Sequence, residues 1–424
     1  MAARNVTLID DDIYRLDGGV EDVYILKNPD YWFLAPGKFS EQLKKQLKNK
    51  RGELPVHGRE GVGPQHLFSH PVLRLTNRCN LSCTHCYQDI NGSQSGGMKD
   101  LDFEEAKKFL NFIKEKADSY GTGTLRTIQL FGGEPTLYPK FREILQFCED
   151  FDLYKIRVST NATTPFFRAP GNQAFFENQT IEWRVSMESH LEKEHNTLRP
   201  FSFKKSIHGL ERMIGAGANV TVKTVVTPGN LDSLEEIILF YHDLGVNNFT
   251  YRVLFEQGSA RKNSLTRSFD DYDVAMKLLG IVRRRPYLAR FLQPSPFGRW
   301  LKSIFVRGVE AYPQIYYYVD SDGLIYPNDK VCEIPGFALG SIYNDKGYAL
   351  ERLREFQKNV EINLPVCKGC PVENYCFKGN LGLLYEDNPG LEGYFRECDS
   401  VKRLVPGLMS LGEEGALLAK KMYE

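Results

Sequence analysis

The chain has 424 residues, with 54 Lys and Arg against 54 Asp and Glu, so its formal net charge is zero; charged residues make up 25% of it. That length allows two or three domains around a sizeable core, and the balanced charge excludes a surface built globally for nucleic acid or an anionic membrane. No apolar run approaches a membrane span and the polar stretch Met1 to Asp12 has no signal-peptide core, so a soluble, cytoplasmic protein is expected. In that reducing compartment the nine cysteines, concentrated at close spacings, read as metal ligands rather than disulfides.

Residues 1–70 carry no cysteine. Val23 to Leu26 and Tyr31 to Leu34 predict short strands around an Asn28-Pro29-Asp30 turn, Ser40 to Lys50 a helix, and residues 51–70, rich in Gly, His and charge, a linker. Such a module either binds a peptide by strand addition to an exposed edge or merely caps the domain that follows.

From Pro71 to Arg285 the chain alternates apolar, β-branched runs with helix-period segments. The strands fall at Val72–Thr76, Arg126–Leu130, Lys155–Ser159, Glu182–Ser186, Asn219–Val226 and Asn248–Leu254. Helices fall at Asp102–Lys116, Pro139–Asp150, Phe203–Ile214, Ser233–Leu244 and Asp270–Arg283. Six β/α repeats predict an α/β fold, a parallel sheet curled into a partial (β/α)6 TIM-like barrel with helices outside. Ligands then bind at the C-terminal ends of the strands.

Each chemically distinctive segment follows one of those strands. After the first comes Cys79-Asn80-Leu81-Ser82-Cys83-Thr84-His85-Cys86-Tyr87. Its three thiolates can hold three irons of a [4Fe–4S] cluster, and no fourth cysteine lies nearby to close the cage. The alternative is zinc, which needs four closed ligands; His85 is the nearest fourth donor, but a single tetrahedral ion would strain so short a loop. After the second strand comes Phe131-Gly132-Gly133-Glu134-Pro135, where two glycines let backbone approach a ligand beside a carboxylate. The third ends in Ser159-Thr160-Asn161, able to hydrogen-bond ribose hydroxyls. The fourth leads through Ser186-Met187-Glu188 to His195 and Arg199, and the sixth carries Arg252 ahead of Gly258-Ser259-Ala260.

A second cysteine group follows hairpin turns at Asp322–Pro327 and Leu339–Ile342: Cys367, Cys370, Cys376 and Cys398, spaced C-x2-C-x5-C-x21-C. Four thiolates close a full shell, of an auxiliary [4Fe–4S] cluster or of zinc. Cys332 is left over, as a packed thiol, a partial ligand or a hydrogen-atom donor, and Cys148 reads as core. Arg283 to Pro286 reads as a solvated charge run, Tyr316 to Tyr318 as a strand or a cavity lining, and the tail after Pro406 as a helix closing on the barrel.

The three-cysteine loop with Tyr87 behind it resembles the signature of the radical SAM enzymes. In that family the open iron is chelated by the amino and carboxylate groups of S-adenosylmethionine, the reduced cluster passes one electron to the sulfonium, and the resulting 5′-deoxyadenosyl radical abstracts a hydrogen atom from the substrate. The resemblance implies that Gly132, Gly133 and Glu134 hold the methionyl amino group, that Ser159, Thr160 and Asn161 meet the ribose, and that Ser186 and Arg199 hold the carboxylate, with Tyr87 and Arg252 also lining the cofactor. Glu188 stands where relatives have aspartate and Ser189 where they have glycine, and the proline of the R…P-x-G-x-A region is missing.

The second cysteine group is similar to the SPASM and twitch extensions that carry auxiliary clusters. Asn328 and Asn380 stand where a full SPASM domain has further ligands, which leaves one auxiliary cluster. The expected organisation is thus 1–70 N-terminal module, 71–310 barrel, 311–400 SPASM/twitch-like iron–sulfur domain and 401–424 C-terminal helix. Relatives of this kind often crosslink or epimerise ribosomally made peptides, so a precursor peptide substrate and an electron donor such as flavodoxin or ferredoxin are implied, with neither nucleic acid nor membrane as partner. Tetrapyrrole or other small-molecule modification is the rival substrate class, and a non-catalytic, metal-stabilised binding protein the rival function.

Overall fold

The computed structural model describes residues 64–88, 97–306, 315–332, 336–344, 347–363 and 396–423, apart from 122 and 152, together with 6–10, 13–17, 22–27, 30–35, 370, 372 and 376. The helix expected at Ser40 to Lys50, Cys367 and Asn380 lie outside these residues. Two compact units form, one from residues 63–268 and 315–360, the other from 1–62, 269–314 and 361–424. Both are discontinuous in sequence.

The N-terminal sheet has four antiparallel strands, β1 (Val6–Asp10), β2 (Ile13–Asp17), β3 (Asp22–Lys27) and β4 (Asp30–Ala35), ordered as they occur in the chain. The sequence pattern anticipates β3 and β4 only. Around Asp10, Asp11 and Asp12 the first two runs are short and broken by acid, and the β1–β2 register shifts between Leu8 and Asp10.

The larger unit is built on β5 (Val72–Arg74), β6 (Thr127–Phe131), β7 (Lys155–Thr160), β8 (Ile181–Ser186), β9 (Asn219–Val226) and β10 (Asn248–Val253), all parallel. Each lies within a residue or two of its expected position. β11 (Tyr318–Val319) then pairs parallel with β5, and β12 (Leu324–Tyr326) and β13 (Gly340–Ser341) continue antiparallel, giving the order β10-β9-β8-β7-β6-β5-β11-β12-β13. The barrel is therefore partial, with β10 and β13 as edges. β11 thus extends the sheet on the side of β5 away from β6. The expected linker is shortened, because Pro64–Phe68 is a 3-10 turn with Leu67 and Phe68 fully buried.

Two chemically different faces follow from period-2 alternation along each strand. On β8, Ile181, Trp183 and Val185 are buried, and Trp183 packs on Phe167 and Phe176 at ring distances of 5.7 and 5.4 Å. The flanking helices answer with their own apolar stripes. In Phe103–Tyr120 the buried residues are Ala106, Phe109, Leu110, Ile113 and Ala117, and Asp102 caps the first turn by accepting from the Glu105 N–H at 2.9 Å. Each fully buried Phe, Leu or Ile on such a stripe is worth roughly 1.5–3 kcal/mol.

The other face is polar. Register places Gln129, Arg157, Glu182 and Asn219 in one row, Ser186, Lys223 and Thr250 in a row nearer the strand ends, and Arg252 beyond it, opposite Val225. Tyr316, Tyr317 and Tyr318 alternate as expected: Tyr317 packs edge-on against Phe109 of the helix layer, while the Tyr316 hydroxyl donates to Asp329.

In the other unit, Asp270 and Asp273 form a capping box for helix Asp271–Arg284. The tail is two helices, Arg396–Met409 and Glu413–Tyr423, rather than one. Arg283 is not merely solvated: its guanidinium grips Glu414 through two bonds of 2.6 and 2.7 Å. No described helix is long and apolar enough to cross a membrane.

Candidate active site

The cysteine loop leaves the C-terminal end of β5 and is held in part by backbone and amide groups from the loops and short helices that follow other strands. The Thr84 N–H donates to the Leu198 carbonyl at 3.0 Å, and the Ser259 N–H donates to the Cys86 carbonyl at 2.8 Å. The Asn263 side chain donates to the Thr84 carbonyl at 3.0 Å, and Asn161 donates to the Asn80 side chain, also at 3.0 Å. Glycine is required where backbones meet. A Cβ on Gly133 would sit 2.3 Å from the Arg78 carbonyl oxygen, and one on Gly258, at φ +56, would sit 2.4 Å from the Tyr87 carbonyl oxygen.

Cys79, Cys83 and Cys86 are partly exposed. Burial pushes the Cys79 thiol up to about 12, and burial likewise raises Cys83, with the neighbouring thiols adding to it. One Arg199 N–H lies 3.5 Å from the Cys83 sulfur, the place for a positive group beside a thiolate cluster. His85 Nε2 faces Glu188 Oε1 at 3.3 Å. Among the described residues no three His, Cys, Asp or Glu side chains gather where a single ion could sit.

Glu188 organises the side of the loop next to β8. Fully buried, it accepts from Arg199 Nε at 2.6 Å and from the Val225 N–H at 2.6 Å. Burial alone would raise its carboxyl, but Arg199 and His85 hold it well below the usual range. Its own N–H donates to His195 Nδ1 at 3.2 Å, and His195 Nε2 meets Ser202 Oγ at 2.8 Å. The departure from aspartate at this position is thus a structural anchor whose extra methylene is used.

The expected cofactor seat divides into groups already engaged and groups still open. Glu134 accepts from Thr136 Oγ1 at 2.6 Å, Thr160 Oγ1 at 2.7 Å and the Asn161 N–H at 2.7 Å, so its carboxylate latches β6 to β7. Thr160 and Asn161 are spent in the same way: Thr160 Oγ1 accepts from the Ala162 N–H, and Asn161 Oδ1 accepts from Thr163. Thr160 stands on the buried, helix-facing side of β7, so its hydroxyl is spent within the fold. Ala162 has φ +58, a left-handed conformation held by this network. Ser159 and Ser186, on the polar face, have hydroxyls with no protein partner among the described residues.

Tyr87 is also engaged. Its hydroxyl donates to Asp329 at 3.1 Å and its ring lies under Lys330 Nζ at 3.7 Å, which ties the cysteine loop to the turn after β12. Burial, countered by Lys330 and Tyr316, leaves the Asp329 carboxyl depressed to about 2. Cys332 is buried, with its thiol 3.3 Å from the Asp329 carbonyl, and Asn328 accepts from the Lys330 N–H at 2.8 Å. Cys370, Cys376 and Cys398 are partly exposed and outside any disulfide.

Sequence reading singled out Arg252 alone among the charges of the polar face. Lys155, Arg157 and Arg184 surround buried Glu182 at 3.3, 2.9 and 3.0 Å. The available signal was a charge at every second position of otherwise apolar strands, Lys155-x-Arg157 and Glu182-x-Arg184.

An open parallel sheet whose first strand ends in a three-cysteine loop, clamped by the ends of the others, is the arrangement of a radical SAM domain. Residues 73–241 match the Radical SAM superfamily. The subtilosin biosynthesis protein AlbA of Bacillus subtilis is 27% identical over 45% of this chain and 41% of its own length. An AdoMet-dependent heme synthase of Methanosarcina barkeri is 29% identical over 43% of this chain and 48% of its own. The chain thus spans less than half the length of either relative. Streptococcus suis SuiB, solved bound to precursor peptide SuiA, superposes with a TM-score of 0.59 over 93% of this chain and 99% of that one, at 14% identity, a likeness of fold.

Proposed function

We propose that this chain is a radical SAM enzyme of the SPASM/twitch type that modifies a ribosomally synthesised peptide. The observation that carries the substrate class is the N-terminal sheet. Among the described residues β1 and β4 each pair on one side only, and a free edge can take an extended peptide through main-chain hydrogen bonds. The precursor peptide bound to SuiB and the role of AlbA in making a bacteriocin support the same class.

Cys79, Cys83 and Cys86 hold the catalytic [4Fe–4S] cluster, with Arg199 beside Cys83. The Gly132 to Glu134 backbone, Ser159 and Ser186 seat S-adenosylmethionine, while Glu134, Thr160 and Asn161 keep that seat in shape. Bound there, cluster and S-adenosylmethionine supply reductive sulfonium cleavage and hydrogen-atom abstraction from a substrate carbon. Cys367, Cys370, Cys376 and Cys398 hold one auxiliary cluster, and a flavodoxin- or ferredoxin-like donor provides the electron.

The test is anaerobic reconstitution of wild type and of a Cys79/Cys83/Cys86→Ala triple variant. Wild type should hold two clusters and form 5′-deoxyadenosine under dithionite, and the variant one cluster and no product. Zinc in both, with no cleavage, refutes the enzyme reading. For the substrate, a bound peptide should slow amide exchange in 6–10 or 30–35; a shift of visible absorbance on adding a porphyrin, with no such protection, would give the site to tetrapyrroles.

A further inference from the structure

The polar face of the barrel carries more positive charge than its own carboxylates answer. Glu182 is shared by Lys155, Arg157 and Arg184; Asp320 pairs with Arg74 at 3.2 Å, and Asp329 with Lys330 at 2.9 Å. Lys223 and Arg252 remain. Neither has a hydrogen bond or ion pair from its side chain among the described residues, and both point from adjacent parallel strands into the same space. Lys223 lies level with Ser186 at the end of β8, and Arg252 lies one step closer to the strand ends, opposite Val225. Both therefore stand at the level of the cofactor seat rather than in the Glu182 layer below it.

We propose that Lys223 and Arg252 form a carboxylate-binding pair, so that the substrate presents an acidic residue or a free C-terminus to the barrel beside the carbon that reacts. This rests on the peptide reading above, since a carboxylate is the anion an unmodified ribosomal peptide carries. Two cations side by side repel, and their charge is costly wherever water is partly excluded. The stress is visible at Lys223, whose ammonium is depressed to about 7 by burial and then by Arg252, Lys330 and Arg184. A carboxylate between the pair relieves that repulsion and is held by charge-assisted bonds, the guanidinium offering a planar fork and the ammonium a point charge. The carboxylate of S-adenosylmethionine is the competing source, since the family resemblance sets Arg252 along the cofactor; the same resemblance gives that carboxylate to Ser186 and Arg199, and Arg199 lies beside Cys83.

Calorimetric titration of the reconstituted enzyme with three probes tests this: N-acetyl-glycyl-glutamyl-glycinamide, its glutamine counterpart, and N-acetyl-triglycine with a free C-terminus. At least one acidic probe should bind tenfold or more tightly than the glutamine probe, with the glutamyl and C-terminal arms separating the two sources. Lys223→Met should remove that preference and Lys223→Arg restore it. Equal affinity for acidic and glutamine probes in wild type, which needs no variant to fold, overturns the pair as an anion site and leaves the peptide reading untouched. Equal losses of probe and S-adenosylmethionine binding in Lys223→Met assign the pair to the cofactor and also overturn it. Glutarate binding as tightly as the glutamyl peptide keeps a carboxylate site but overturns its assignment to a peptide.

Discussion

Replacing Glu188 should damage both stability and the cysteine loop, and the sizes follow from its contacts. Its oxygens accept from Arg199 Nε and the Val225 N–H, each at 2.6 Å, and Oε1 lies 3.3 Å from His85 Nε2. Glu188→Ala leaves a largely buried guanidinium and a buried N–H without an acceptor, and breaking a buried pair in this way costs about 3–5 kcal/mol. At roughly 2–4 °C per kcal/mol for a unit of this size, the melting temperature should fall by about 6–20 °C. Glu188→Gln keeps an acceptor for Val225 and loses the charge, a smaller cost of about 1.5–3 kcal/mol. Glu188→Asp, the residue usual in relatives, is shorter by one methylene, about 1.5 Å, and cannot reach Arg199 and Val225 together. Because the folded-state carboxyl is depressed, its contribution is complete above the unfolded value near pH 4.3 and fades as pH falls through the lower folded value. The gap between wild type and Glu188→Gln should thus be full at pH 7 and narrow below about pH 4. Thermal melts of anaerobically reconstituted proteins, with iron counted before and after, measure all of this. A Glu188→Ala protein melting within about 2 °C of wild type, with its iron retained, would refute the anchor role.

Gly133→Ala forces a Cβ against the Arg78 carbonyl at 2.3 Å, so it should cost roughly 1–3 kcal/mol and lower iron occupancy; normal iron content would show that the backbone shifts freely. Thr160→Val should destabilise by about 1–3 kcal/mol through loss of the bonds to Glu134 and Ala162, whereas Ser159→Ala should leave stability within about 0.5 kcal/mol and weaken S-adenosylmethionine binding. The reverse pattern in melts and binding titrations would exchange their roles. Lys223, at about 7, should acylate with a half-point near neutral pH, rising as pH increases because the neutral amine is the reactive form. Peptide mass mapping of acetic anhydride labelling reads this out, and a half-point near that of an ordinary lysine would show that burial and Arg252 do not act on it.

The fold was legible because apolar period and chemistry coincide on these strands. Val220 and Val222 alternate with Thr221 and Lys223, so β9 is bounded by its own pattern, and Asp102 or Asp270 marks where a helix begins. β1 and β2 were not legible, since short runs around three aspartates carry little signal without a partner strand. β11 was missed as a barrel strand because two residues against β5 acquire meaning only once β5 exists. Of the site, the close approach at Gly133 could be read from the Gly-Gly pair after β6, but Thr160 and Ser159, adjacent in sequence, could not be assigned to opposite faces until the register of β7 was fixed. A strand ending in three small polar residues does not announce which one faces the ligand.

The division of labour between the two faces also bears on how such a domain can change substrate. The cysteine loop is fixed in part by carbonyl and amide groups, by Gly133 and Gly258, and by anchors such as Glu188 and Glu134 whose oxygens are already occupied. The helix-facing side chains fix the sheet. Glu188 and Glu134 spend their oxygens on bonds within the fold, so these anchors are poorly placed to select what is bound. Under the proposed function, selection would fall to side chains that the fold does not use, and Ser159, Ser186, Lys223 and Arg252 are such residues on the described polar face. Exchanging Lys223 and Arg252 for neutral residues should therefore alter which substrate is accepted well before it alters whether the loop can carry iron.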